Sequence, residues 1–179
     1  GRPAAAGASP LAEGIDLGYG RGGTIEEAEV KRRARDLDRL QRNVALKGET
    51  EIPFAGQTVN GYEWDTKEEG VYVSPLSGAP LFSSTAKFDS GTGWPSFWEP
   101  IDANSVLERT DPRDEQSLPP DRWRVEVLDR ASMTHLGHVF NDGPPPTGRR
   151  YCINASALRF MPAKAPVFNW TATEEQLSN

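Results

Sequence analysis

Beyond Glu51 every apolar run in this chain is short, and polar residues, glycine or proline separate one from the next. The runs are 70–73 (GVYV), 80–82 (PLF), 122–128 (RWRVEVL), 136–140 (LGHVF), 150–154 (RYCIN) and 157–161 (ALRFM). Between them lie DPRDEQSLPPD (111–121) and NDGPPPTG (141–148), and the chain holds 17 glycines and 15 prolines in all. Runs of this length are too short for an amphipathic helical stripe but suit strands separated by turns. In 122–128 the alternation is clean, with Trp123, Val125 and Val127 predicted on one face and Arg124 and Glu126 on the other. The pattern predicts a mainly β, antiparallel domain with no internal repeat.

One helix is expected in front of it. Thr24 and Glu27 make a T-x-x-E capping box, and Val30, Ala34, Leu37, Leu40 (or Gln41) and Val44 follow at three- and four-residue steps. Glu27–Lys31, Glu29–Arg33 and Asp38–Arg42 are pairs of favourable order, and Gly48 ends the run. The reading is an amphipathic helix over 24–47 with a solvated charged face. It stands between a flexible tail at 1–23 and a β core at 50–162. The domain closes at 165, and 166–179 forms a second tail with a short helix capped by Thr171.

Charge and cysteine content remove whole classes of function. Twenty Lys and Arg against 26 Asp and Glu leave a net charge of -6, so nucleic acid and anionic membrane are poor partners. No stretch approaches the ~18 apolar residues of a membrane span. GRPAAAGASP lacks the apolar region of a signal peptide and reads as a linker. A soluble monomer in the cytoplasm or an organelle is expected, with secretion after leader removal left open. Cys152 is the single cysteine, which excludes an internal disulfide and a four-cysteine zinc site.

That cysteine sits in a suggestive place. Strand alternation puts Arg150, Cys152 and Asn154 on one face, with Tyr151 and Ile153 on the other. An arginine beside the thiol predicts a pKa below the free value of about 8.5. Asn154 could hydrogen-bond a substrate. The competing reading is a buried, inert cysteine. Both histidines of the chain fall in His135-Leu136-Gly137-His138, where Gly137 permits a bulge that turns the two rings the same way. With Cys152 they suggest either a thiol active site with histidine proton donors or a Cys-His-His metal site, with Met133 or Met161 as a weak ligand.

SGTGWPSFW (90–98) supplies the third element. Gly91 and Gly93 bend the chain and Pro95 fixes it after Trp94. Phe97 and Trp98 are expected in the core, while Trp94 is expected to wall a pocket. The N-x-[ST] triplets at Asn154 and Asn169 are read as chance matches.

Four ordered stretches, KGETEIPF (47–54), EEGVYVSPLSGAPLFSSTAKFDSGTGWPSFWEPI (68–101), HLGHVFNDGP (135–144) and RRYCINASALRF (149–160), resemble the methionine-R-sulfoxide reductases of the B type, over roughly residues 36–162. The resemblance implies two antiparallel sheets with helices at the N-terminal side. It implies reduction of the R epimer of methionine sulfoxide, mainly within proteins and peptides. By match of motif, Cys152 is the nucleophile, and His135 and His138 polarise or protonate the sulfoxide oxygen. Arg150 and Asn154 support the site, and Trp94 and Phe140 contact the substrate.

Two departures from the family pattern matter. Many members hold a structural zinc on two C-x-x-C pairs, but here those positions read Ser74-Pro-Leu-Ser77 and Asp129-Arg-Ala-Ser132, so no metal or other cofactor is expected. Thr92 stands where some members have a resolving cysteine. An external thiol, such as glutathione, glutaredoxin or thioredoxin, is then required to reduce the sulfenic acid. The other readings are a metal-binding electron-transfer module and a thiol sensor that binds oxidised methionine without turnover.

Overall fold

The computed structural model describes residues 24–164, so the expectations for both tails and for Asn169 lie outside the described residues. The predicted helix over 24–47 is divided into α1 (Glu27–Ala34) and α2 (Arg39–Lys47). Residues 35–37 tighten into turns bonded three residues back, and Asp38 takes an extended conformation. The capping box belongs to Asp38, whose carboxylate accepts from the Gln41 amide while the Gln41 side chain accepts from the Asp38 amide. Thr24 does not cap α1, whose N-cap is Glu26 without a side-chain bond. Once Asp38 is a cap it is not a helix-interior partner, and Arg42 donates to the Leu37 carbonyl instead. Glu27–Lys31 and Glu29–Arg33 form as expected, and Gly48 ends α2 at φ 69°. No helix among the described residues is long and apolar enough to cross a membrane.

The β core has two antiparallel sheets. The smaller contains β1 (Gly70–Val73), β2 (Pro80–Ser83) and β9 (Arg159–Pro162), in the order β2-β1-β9. The larger runs β3-β4-β8-β7-β6-β5, from β3 (Lys87–Phe88), β4 (Ser96–Phe97), β5 (Val106–Thr110), β6 (Val125–Asp129), β7 (His135–Phe140) and β8 (Arg150–Ile153). Their inner faces share one core in which Phe82 stacks on Phe97 at 4.5 Å and Tyr72 meets Phe97 edge-on at 5.2 Å. Phe97 is thus core, as expected, while Trp98 is only half-buried.

Two segments depart from the sequence reading. The punctuated stretch 111–121 contains a short helix, α3 (Pro112–Ser117), capped by Asp111. The alternation of 122–128 does not map onto inside and outside: Trp123 and Val125 are exposed, and Glu126 is buried with Val127 and Leu128. Trp123 precedes β6, and a register shift in the β6–β7 pairing, where Val127 faces Gly137 but Leu128 faces His135, interrupts the alternation after Val127. Glu126 can be buried because His135 and Arg109 satisfy its carboxylate.

The positions that carry zinc in many family members form a buried hydrogen-bonded clasp. Ser77 donates to Asp129 at 2.7 Å, Ser132 donates to the same oxygen, and the Ala131 amide donates to the other. Ser74 accepts from the amides of Leu76 and Ser77. These hydroxyls are committed to protein partners, and the set lacks the thiolates that zinc selects, so the residues present do not fit that metal.

Candidate active site

Cys152 lies in the middle of the larger sheet, opposite Ser96 of β4 on one side and His138 of β7 on the other. The alternation of β8 holds: Tyr151 and Ile153 are buried in the core, while Arg150 and Cys152 face a cavity of about 270 Å³. Trp94, His138, Phe140 and Asn154 also line this cavity, together with Thr92.

The thiol does not have the lowered pKa that the flanking arginine suggested. Burial is the largest influence and pushes Cys152 up, and the Glu51 carboxyl adds to it. The Arg150 charge and a hydrogen bond with Thr92 oppose the rise without reversing it. Arg150 is also engaged elsewhere: its guanidinium pairs with Asp142 at 2.9 and 3.1 Å and lies 4.5 Å over the Phe140 ring. The site therefore holds a thiol more protonated at neutral pH than a free cysteine.

Trp94 is placed by the hinge and by the distant segment that follows α2. Gly91 and Gly93 have φ of 73° and 90°, values that favour glycine. At Gly93 a Cβ would meet the Phe54 ring at 2.7 Å and the Phe54 amide nitrogen at 2.8 Å. That amide donates to the Gly93 carbonyl, and the indole N–H of Trp94 donates to the Glu51 carbonyl at 3.1 Å.

Asn154 lines the cavity, but its side chain is occupied as a bolt. Its oxygen accepts from the Glu51 amide and its nitrogen donates to the Leu136 carbonyl, both at 2.9 Å. The Glu51 carboxylate in turn accepts from the amides of Ala155 and Ser156 and from the Ser156 hydroxyl.

The bulge at Leu136 and Gly137 brings both histidine rings to one side, with centroids 5.4 Å apart. Only His138 reaches the cavity, while His135 is buried behind it. Each ring is tied to a buried carboxylate: His138 Nε2 to Asp111 at 2.7 Å and His135 Nδ1 to Glu126 at 2.6 Å. Burial alone would raise both carboxyls. Arg113 and His138 overcome it at Asp111, and His135 and Arg109 overcome it at Glu126, so both sit below the usual range. Burial also lowers the His138 pKa, with Asp111 opposing. No local pattern in the sequence marks Asp111, Glu126, Asp142 or Glu51 as a site residue. Glu51 falls within the KGETEIPF stretch, and Asp142 within HLGHVFNDGP. Asp111 sits in a segment that reads as a loop, and alternation in 122–128 points Glu126 outward.

Residues 37–162 match the SelR domain family model. The chain is 43% identical over 136 residues to the peptide methionine sulfoxide reductase MsrB of Hahella chejuensis, covering 76% of this chain and 89% of that protein. With the MsrB of Thiobacillus denitrificans it is 47% identical over 127 residues, 71% of this chain and 88% of the relative. The peptide methionine sulfoxide reductase MsrA/MsrB of Vibrio cholerae is 51% identical over 126 residues, and there the match spans 70% of this chain but 30% of the longer protein. With the family model covering most of the chain and a nearly full-length match to two MsrB proteins, the chain belongs to the SelR (MsrB) family.

Proposed function

We propose that the protein reduces the R epimer of methionine sulfoxide in polypeptides to methionine. The observation that carries this reading is the placement of Cys152 directly across the β7–β8 ladder from His138, in a cavity also lined by Trp94. A thioether methyl packs on the indole face, and the sulfur is then presented to Sγ. Thiolate attack moves the oxygen to Cys152 and releases methionine, with a proton supplied through the histidine pair as negative charge develops on oxygen. One thiol and one sulfoxide become one sulfenic acid and one thioether.

Regeneration falls to an outside reductant. No second cysteine occurs in these 179 residues, and Thr92 hydrogen-bonds toward the Cys152 sulfur. Two equivalents of a small or protein thiol (glutathione, a glutaredoxin or thioredoxin) return the sulfenic acid to thiol with release of water and a disulfide. No metal or bound cofactor takes part.

An epimer-resolved assay on a peptidyl methionine sulfoxide tests the reading. Turnover of the R form with dithiothreitol, none of the S form, and loss of both burst and turnover in Cys152→Ser are expected. An untouched R epimer in excess dithiothreitol overturns it. A burst that stops at one equivalent with every physiological thiol tried favours a sensor instead.

A further inference from the structure

We propose that Asp111 and Glu126, joined through Arg113, are positioning residues that fix the tautomers of His138 and His135, so that His138 carries the Cys152 proton to the departing oxygen. The proposal rests on the reductase reading for its chemistry, though not for its geometry.

Asp111 is fully buried at the N-cap of α3. It accepts from His138 Nε2 at 2.7 Å, from the Arg113 amide at 2.9 Å, and from the Arg113 guanidinium at 2.8 and 3.0 Å. A carboxylate held ionised by an arginine can only accept, so Nε2 carries the proton. In the neutral ring this leaves Nδ1 as the lone-pair nitrogen, on a side chain that lines the cavity with Cys152. His138 is therefore set to receive a proton at Nδ1.

Behind it the same logic is repeated. Glu126 accepts from His135 Nδ1, from Arg109 at 2.8 Å and from Arg113 at 3.3 Å. His135 Nε2 is left buried with no hydrogen-bond partner, as an acceptor next to the His138 ring. Arg113 thus touches both carboxylates, and it also donates to the carbonyls of Lys47 and Gly48, anchoring the network to the end of α2. An unpaired buried nitrogen costs free energy unless something uses it. A second acceptor beside His138 helps to hold the transient imidazolium.

The proton count closes. The Cys152 thiol gives its proton to His138 Nδ1, and the thiolate attacks the sulfoxide sulfur. The sulfur–oxygen bond of the substrate breaks as oxygen bonds to Cys152, and His138 returns the proton to that oxygen. The products are the sulfenic acid, the thioether and a neutral His138. Asp111 holds the imidazolium in between and touches no reacting atom.

The groups facing His138 are Asp111, Arg113 of α3, Arg124 ahead of β6, Glu126 of β6, His135 of its own strand, and Cys152 and Arg150 of β8. Replacing Asp111 by Asn keeps an equivalent N-cap but removes the charge that favours imidazolium. The expected result for Asp111→Asn is a kcat lower by about 10- to 100-fold, an unchanged KM, and a pH–rate limb for His138 moved to lower pH. Nitrogen-15 NMR of the imidazoles is simple with two histidines in the chain. It should show His138 protonated at Nε2 and His135 at Nδ1, with the first preference weakened by Asp111→Asn and the second by Glu126→Gln. A wild-type His138 protonated at Nδ1, or variants with unchanged tautomers, rates and pH profile, overturns the proposal. A wild-type chain that reduces no sulfoxide removes the reductase reading, while the tautomers still report on the positioning.

Discussion

Glu51 and Trp94 are joined by a single hydrogen bond, from the indole N–H to the Glu51 carbonyl, across 43 residues of sequence. The same residue anchors Asn154 through its amide and Ala155 and Ser156 through its carboxylate. Glu51→Ala keeps the backbone bonds but strands buried donors that the carboxylate satisfied. It is expected to destabilise the fold by about 2–4 kcal/mol, read as a lower midpoint in urea with an unchanged slope. Without the carboxylate bonds to Ala155 and Ser156, residue 51 is held less firmly, and so is the indole bonded to its carbonyl. This should raise KM more than it lowers kcat.

The pH dependence of thiol reactivity follows from the direction of the Cys152 shift. Burial raises its pKa and Arg150 opposes the rise, so the thiolate fraction at pH 7 lies below that of free cysteine and grows as pH increases. Alkylation by iodoacetamide in the absence of substrate should therefore be slow at pH 7 and climb through the alkaline range. Arg150→Met removes the opposing charge, moving the curve to still higher pH and slowing alkylation at neutrality. A wild-type curve that reaches its plateau below pH 7 contradicts this.

How much of this was legible beforehand depended on whether a residue's partner was near in sequence. Arg150 and Cys152 share β8 and Asn154 directly follows it, so alternation puts all three beside the same cavity. Gly137 announced the bulge that turns the histidines together. Asp111 and Glu126 meet His138 and His135 only because β5, β6 and β7 are neighbours in the sheet, and no local period encodes that. The sequence misleads on the Cys152 shift because proximity gives Arg150 a sign of influence but says nothing of burial, which dominates. Likewise Asp38 reads equally well as a helix-interior acid or a cap, and the extended conformation at the α1–α2 break decides for the cap.

Thr92 offers a direct test of regeneration. Its side chain hydrogen-bonds toward the Cys152 sulfur, so a thiol at that position starts within reach of the sulfenic acid. Thr92→Cys is expected to form an intramolecular disulfide after one equivalent of sulfoxide and to gain turnover with thioredoxin. The wild-type chain should instead accumulate a sulfenic acid that dimedone labels. Mass spectrometry of the two proteins after a single turnover separates the outcomes.

The Asp129 clasp gives the last prediction. Asp129 is fully buried and accepts from Ser77 and Ser132, which joins the turn after β1 to the turn after β6 as a metal does in zinc-bearing members. Asp129→Ala leaves two buried hydroxyls and the Ala131 amide without their acceptor and opens space in a packed region. A loss of about 3 kcal/mol is expected from the stranded groups, with the melting temperature falling accordingly. Ser77→Ala removes one donor while the acceptor keeps its others, so its cost should be about 1 kcal/mol. Because hydrogen bonds hold the two turns, a strong chelator should leave the melting curve of the wild-type chain where it was. A chelator-induced drop comparable to that of Asp129→Ala would mean that a metal, and not the clasp, joins these turns.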